Sequence, residues 1–108
     1  MNENLTKPKS VAGSPSTPAN TLAELAKDSN NKVRRNVADN PNTPANVLVE
    51  LTKDDDNYTR RSVACNPNTP VDTLMELAKD SNEHIRRNVA DNPNTPAKCK
   101  KQLFSANY

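Results

Sequence analysis

The side chains with the most chemistry to offer are arginines, and they come in pairs at a fixed interval: Arg34-Arg35, Arg60-Arg61 and Arg86-Arg87. A guanidinium group binds a carboxylate or a phosphate through two parallel N–H donors. Spaced in this way, the six arginines form either a structural set of ion pairs or a cationic stripe open to a ligand. Aspartates recur at the same interval at Asp28, Asp54 and Asp80, and Asp39 and Asp91 match across two intervals. They are the candidate partners of a structural set. Successive residues on a helix point about 100° apart, so the two arginines of a pair face different ways. One ladder is expected near the groove between layers and the other toward solvent. The ligand of a free stripe would be an acidic peptide or a phosphate backbone.

The remaining reactive residues make no constellation. His84 is the one histidine, and it aligns with Lys32 and Tyr58, so the position varies and reads as exposed. Without a carboxylate or thiol at a repeated spacing it is a poor catalytic or metal candidate. Cys65 and Cys99 are far apart, fall at different places in the interval and read as small buried or half-buried thiols. Asp54-Asp55-Asp56 lacks the further ligands and the glycine of a calcium loop. Neither a phosphate-cradling glycine loop nor a nucleophile beside a base is present. The sequence therefore names no catalytic residue, no metal ligand and no cofactor site.

The interval itself is the dominant feature. Val-Ala occurs at Val11-Ala12, Val37-Ala38, Val63-Ala64 and Val89-Ala90, each step being 26 residues. Pro15, Pro41, Pro67 and Pro93 keep that step, as do Pro18, Pro44, Pro70 and Pro96, and residues 34–45 are identical to residues 86–97. Only 32% of the 108 residues are hydrophobic and 3% aromatic, a composition that by itself suggests disorder. The strict register of the few apolar residues argues instead for a fold.

Each unit reads as two short helices and two corners. Thr17-Pro18, Thr43-Pro44, Thr69-Pro70 and Thr95-Pro96 are expected to start the first helix, with Thr as the cap and Pro in the first turn. Leu22, Leu25 and Ala26 form its apolar face, repeated by Leu48 and Leu51 and by Leu74 and Leu77. Lys27, Lys53 and Lys79 are placed in its last turn, where the helix dipole favours a cation. Asp28-Ser29-Asn30 and its counterparts make the first corner. The second helix buries Val33, Val37 and Ala38, matched by Ile85, Val89 and Ala90, with Thr59 as a weaker core residue in the middle unit. Asn40-Pro41, Asn66-Pro67 and Asn92-Pro93 make the second corner, because a residue before proline leaves the helical region. Corner geometry accounts for the asparagines Asn40, Asn66, Asn92, Asn42, Asn68 and Asn94, although they could also line a polar surface.

One such helix pair cannot bury its own stripe, so neighbours must stack. The expected architecture is an all-α solenoid with full units at 11–36, 37–62 and 63–88 and a partial unit at 89–108. Residues 1–10 read as a disordered tail. Lys100 and Lys101 replace apolar residues of the earlier first helices, so 96–105 reads as a polar C-terminal cap.

The run Val37-Ala38-x-Asn40-Pro41-x-Thr43-Pro44 with Leu48 and Leu51, and the fuller run from Val63 through Leu77-Ala78, Asp80 and Ile85-Arg86, resemble the leucine-rich repeat variant family over about residues 11–97. The resemblance implies a right-handed superhelix of short helix pairs, related to armadillo and HEAT arrays, with one helix of each pair short or 3₁₀-like. Some members of that family hold an iron–sulfur cluster on an N-terminal cysteine-rich segment. Met1 to Ser10 contain no cysteine, so no cluster ligand carries over. The family has no uniform activity to transfer.

The sequence-based expectation is thus a non-catalytic protein-interaction scaffold in the cytoplasm, with nucleic-acid binding by the arginine pairs as the alternative. A net charge of +2, from 15 basic and 13 acidic residues, and the shortage of aromatic residues weigh against the alternative. No apolar run approaches a membrane span, and Met1 to Lys9 have no signal-peptide core. Self-association through the face of the N-terminal unit is a further expectation.

Overall fold

The computed structural model describes residues 8–97. Among the described residues the chain is all-helical, with seven helices and no strand. They are α1 (Pro8–Gly13), α2 (Ala19–Leu25), α3 (Asn31–Asp39), α4 (Ala45–Leu51), α5 (Asn57–Cys65), α6 (Val71–Leu77) and α7 (Glu83–Asp91). The odd-numbered helices pack in a row, α1 on α3, α3 on α5 and α5 on α7. Each even-numbered helix packs mainly on the two odd ones that flank it. No helix is long and apolar enough to cross a membrane among the described residues. Helix α1 begins at Pro8, three residues inside the stretch expected to be a disordered tail. The rest of that stretch and the expected cap at 96–105, beyond Ala97, lie outside the described residues.

Why these short segments are helical follows from their corners. Asn30, Asp56 and Asn82 cap α3, α5 and α7: their side chains accept the amides of Lys32, Thr59 and His84 at 2.9, 3.0 and 2.8 Å. Just before each cap, Asp28, Asp54 and Asp80 accept the cap residue's own amide at 2.8–2.9 Å, which closes the corner. At the opposite corner Asn40 leaves the helical region with ψ 123°, and its side-chain oxygen accepts the amide of Asn42. Asn66 and Asn92 do the same.

Two expectations about the first helix of each unit are corrected. Pro18, Pro44 and Pro70 stand at the N-cap with ψ near 155°, not inside the first turn, and the preceding threonine caps nothing. Instead Thr43, Thr69 and Thr95 turn back and donate their hydroxyls to the carbonyls of Val37, Val63 and Val89 at 2.6 Å. The turn closed by Thr43 N–H on Asn40 O brings that hydroxyl against the end of the previous helix, where carbonyls lack helical partners. The threonine thus finishes one helix rather than starting the next. The lysines Lys27, Lys53 and Lys79 also fall past the helix ends at Leu25, Leu51 and Leu77. Their amides close a final tight turn on Glu24, Glu50 and Glu76.

The core is a single continuous cluster. Leu22, Leu48 and Leu74 are fully buried from the even helices, and Val37, Val63 and Val89 from the odd ones. Each buried leucine contributes about 1.5–3 kcal/mol relative to an exposed one. Ala12, Ala38, Ala64 and Ala90 are also buried, and their small side chains let neighbouring odd helices approach closely. Leu25 and Ala26 are only half-buried, a narrower face for α2 than its spacing suggests. Thr59 is fully buried between Val33 and Ile85 in register, and its hydroxyl donates to Asp56 at 2.8 Å, so no polar group is stranded.

Candidate functional site

The two arginine ladders have different roles. Arg34 donates Nε–H to Asp54 Oδ2 at 2.7 Å and a terminal N–H to Asp54 Oδ1 at 3.2 Å, a two-pronged contact from one unit to the next. Arg60 repeats it onto Asp80 at 2.9 and 3.4 Å. Within their own unit, Arg34, Arg60 and Arg86 also donate to the carbonyls of Asp28, Asp54 and Asp80 at 2.7–2.8 Å. This ladder is half-buried in the groove between units and clamps corners together. Arg86 has the same carbonyl bond, and the 26-residue register of Asp54 and Asp80 continues in the sequence to an alanine, Ala106, outside the described residues. Asp39 and Asp91 join no ion pair among the described residues.

Burial is the largest single influence on the Asp54 carboxyl and by itself pushes its pKa up. The Arg34 hydrogen bond, the Asp56 amide and the Arg34 charge together outweigh burial and hold the group below its ordinary value. Because the unfolded chain binds the proton more readily, this contribution to stability is present above the unfolded pKa of about 3.9. It is lost as pH falls through the lower folded value. The stability difference between the parent protein and Asp54→Asn is therefore expected to shrink on acidification below about pH 4. Urea midpoints across that range check it, and a difference that stays constant would contradict the pair's contribution.

The second ladder lies on the outer face of the odd-helix row. Lys9, Arg35, Arg61 and Arg87 occupy equivalent positions on α1, α3, α5 and α7. Arg35 lies with its guanidinium carbon 5.5 Å from the centre of the Tyr58 ring, a stacked cation–π contact reaching into the next unit. Arg61 and Arg87 are exposed and form no ion pair among the described residues. One unit on from Tyr58 stands His84, also exposed. Between α5 and α7 a cleft of about 210 Å³ opens, lined by Asn57, Tyr58, Arg61, Asn82, His84 and Ile85.

Cys65, one turn along α5 from Arg61, is exposed, contrary to the buried or half-buried thiol expected. Partial desolvation, aided by the Asp39 and Asp91 charges, pushes its thiol pKa up, and the Arg61 charge only partly offsets this. A thiol held protonated is a weak nucleophile. Cys99 lies outside the described residues. Among the described residues no group of three or more His, Cys, Asp or Glu side chains is placed to hold a metal ion.

The asparagines are where reading by residue type fell short. Asn40, Asn66 and Asn92 are 1–2% exposed and line no surface. Asn66 Nδ2 donates to Ala38 O at 2.7 Å and Asn40 O at 2.9 Å, and Asn92 does the same to Ala64 O and Asn66 O at 2.7 and 3.1 Å. Asn40 continues the ladder to Ala12 O and Ser14 O. Outside them, Asn42, Asn68 and Asn94 donate to the carbonyls of Pro15, Pro41 and Pro67. The signal available in the sequence was the identity of asparagine at this place in the three units after the first, which has Ser14, where a plain corner tolerates aspartate, serine or glycine.

Neither a protein-family model, nor a curated protein, nor a solved structure matches the chain.

Proposed function

We propose that the chain is an α-solenoid of 26-residue helix pairs, of the kind the leucine-rich repeat variant resemblance implies, and that it serves as a non-catalytic protein-interaction scaffold in the cytoplasm. One observation carries this reading: three strictly repeated sets of residues form the interior, while two sets that differ between units stand exposed on one row of helices. Val37, Val63 and Val89, Asn40, Asn66 and Asn92, and Thr43, Thr69 and Thr95 are all interior. Lys32, Tyr58 and His84, and Asp39, Cys65 and Asp91, are all on the surface of the odd-helix row. A constant interior under a varied face is how a repeat array presents a binding surface without remaking its fold.

The nucleic-acid reading is weaker for a specific reason. Arg34 and Arg60 are held by aspartates, so these two are not presented in a free cationic stripe, and few aromatic residues are at hand to stack on bases. The experiment is to substitute a photoreactive amino acid for Lys32 or His84 and cross-link in cells. The expected result is the same protein partner from both positions, resistant to nuclease. Recovery of nucleic acid alone, in a yield that falls as salt rises, overturns the reading, since phosphate contacts carry that dependence.

A further inference from the structure

We infer that the cleft between α5 and α7 is a carboxylate-binding site, and that the ligand is an acidic segment of a partner protein in a polyproline-II conformation. The inference rests on the scaffold reading and says what that scaffold takes.

The first observation is a difference between equivalent rungs. In one unit the Arg35 guanidinium is covered by Tyr58 of the next. One unit further on, the ring at that place is the smaller His84, and Arg61 borders an open cleft. No ion pair uses Arg61 among the described residues. The second observation concerns the neighbours one turn along each helix. Arg35 and Arg87 have Asp39 and Asp91 there, but Arg61 has Cys65, whose thiol stays protonated. Arg61 is therefore the one arginine rung with no carboxylate one turn along its own helix. The cleft also offers side-chain amides from Asn57 and Asn82 and the ring of His84 as further donors, and the face of Tyr58 as an apolar wall. A single carboxylate bound two-pronged by Arg61 fits that donor set.

The conformation of the ligand follows from spacing. Lys9, Arg35, Arg61 and Arg87 sit one helix apart, and packed helices are about 8–10 Å apart. A polyproline-II chain advances about 9 Å per turn of three residues and returns its side chains to the same face each turn. Acidic residues three positions apart would thus meet Arg61 and Arg87, the two exposed arginine rungs that join no ion pair among the described residues. A β-strand alternates its side chains with a period of two and puts every second candidate carboxylate on the wrong side. Prolines between the acidic residues would pack on the exposed Tyr58 ring.

The test uses the full chain and fluorescence anisotropy with three labelled probes: a peptide of repeated Glu-Pro-Pro, a peptide of the same composition with its glutamates in one block, and an oligothymidylate of matching charge. The Glu-Pro-Pro peptide is expected to bind most tightly. Arg61→Ala is expected to weaken it by about fivefold, the upper end for one exposed ion pair, with an unchanged melting temperature. Asp91→Asn is expected to strengthen it. Equal binding of the two peptides, or no effect of Arg61→Ala, overturns the inference. No peptide binding, with the protein cross-links from Lys32 and His84 still present, overturns the inference and leaves the scaffold reading standing. Tightest binding of oligothymidylate overturns both.

Discussion

Asn66→Ala is expected to lower the unfolding free energy by about 3–5 kcal/mol, since each buried group left unsatisfied costs about 1–3 kcal/mol. The wild-type amide group donates to Ala38 O and Asn40 O and accepts from Asn68 N–H, so one side chain closes its own corner and joins it to the preceding unit. Alanine leaves Ala38 O and the Asn68 amide without their side-chain partner, and Asn40 O with Thr43 N–H alone, in a place only 2% exposed. Against a typical total of about 5–15 kcal/mol, the loss is large enough to see as a marked fall in the urea midpoint. Asn68→Ala, which removes an exposed donor from Pro41 O, is the control and is expected to cost less than about 1.5 kcal/mol, the worth of one ordinary hydrogen bond.

Asn66→Asp separates the hydrogen-bond account from simple loss of packing. Its shape is nearly that of asparagine, but an ionised carboxylate would point an oxygen at two carbonyl oxygens. The protonated form regains one donor, so the folded state raises the pKa of the new group above its unfolded value. Its stability relative to the parent is then best below the unfolded pKa of about 3.9 and falls as pH rises through the folded value. If Asn66→Asp were as stable as the parent at neutral pH, the ladder would not be a stabilising element.

Arg60→Ala is the second large effect, expected at about 2–3 kcal/mol, the range for a charge-assisted hydrogen-bond set that is mostly shielded from water. Arg60 joins Asp80, Asp54 O and Asn57, and the side chains of Arg60 and Asp80 are 14% and 10% exposed. That burial takes the pair out of the class of surface ion pairs worth about 0–1 kcal/mol. Truncating one partner also leaves Asp80 charged and without its counter-ion. Arg86→Ala is expected to cost about half as much, because its described bond is to Asp80 O alone. Equal losses at the two positions would show that the inter-unit carboxylate adds nothing. Arg61→Ala, on the outer face, is expected to leave the melting temperature unchanged, which divides the adjacent arginines of one pair into a structural and a surface role.

That division marks the boundary of what residue types could say. The pairs were visible as pairs, and helical geometry required their two members to face apart. Which member met aspartate depended on how far α5 is shifted against α3, and no local pattern encodes that shift. The N-cap asparagines and aspartates, the apolar faces of α3 and α7 and the exposed His84 were legible because each depends on the few residues around it. The threonines were misread for the same reason in reverse. A Thr-Pro pair looks like a helix start locally, but its hydroxyl goes to the end of the preceding helix, six residues back. Cys65 was misjudged because thiol burial is a matter of packing, and its place on α5 faces outward.

By itself the sequence determined the 26-residue period, the all-helical class and the alternation of constant and varied positions. These rest on short-range rules: helical spacing, the restriction proline places on its neighbour, and capping chemistry. The tertiary structure decided what joins one unit to the next. Asn66 reaches back 28 residues to Ala38 O, and Arg34 reaches forward 20 residues to Asp54. Such bonds exist only once neighbouring helices have packed, because burial is what turns an ordinary corner amide into a required donor and removes one arginine of each pair from solvent. The same packing leaves the other arginine outside, in the row that the proposed ligand would read.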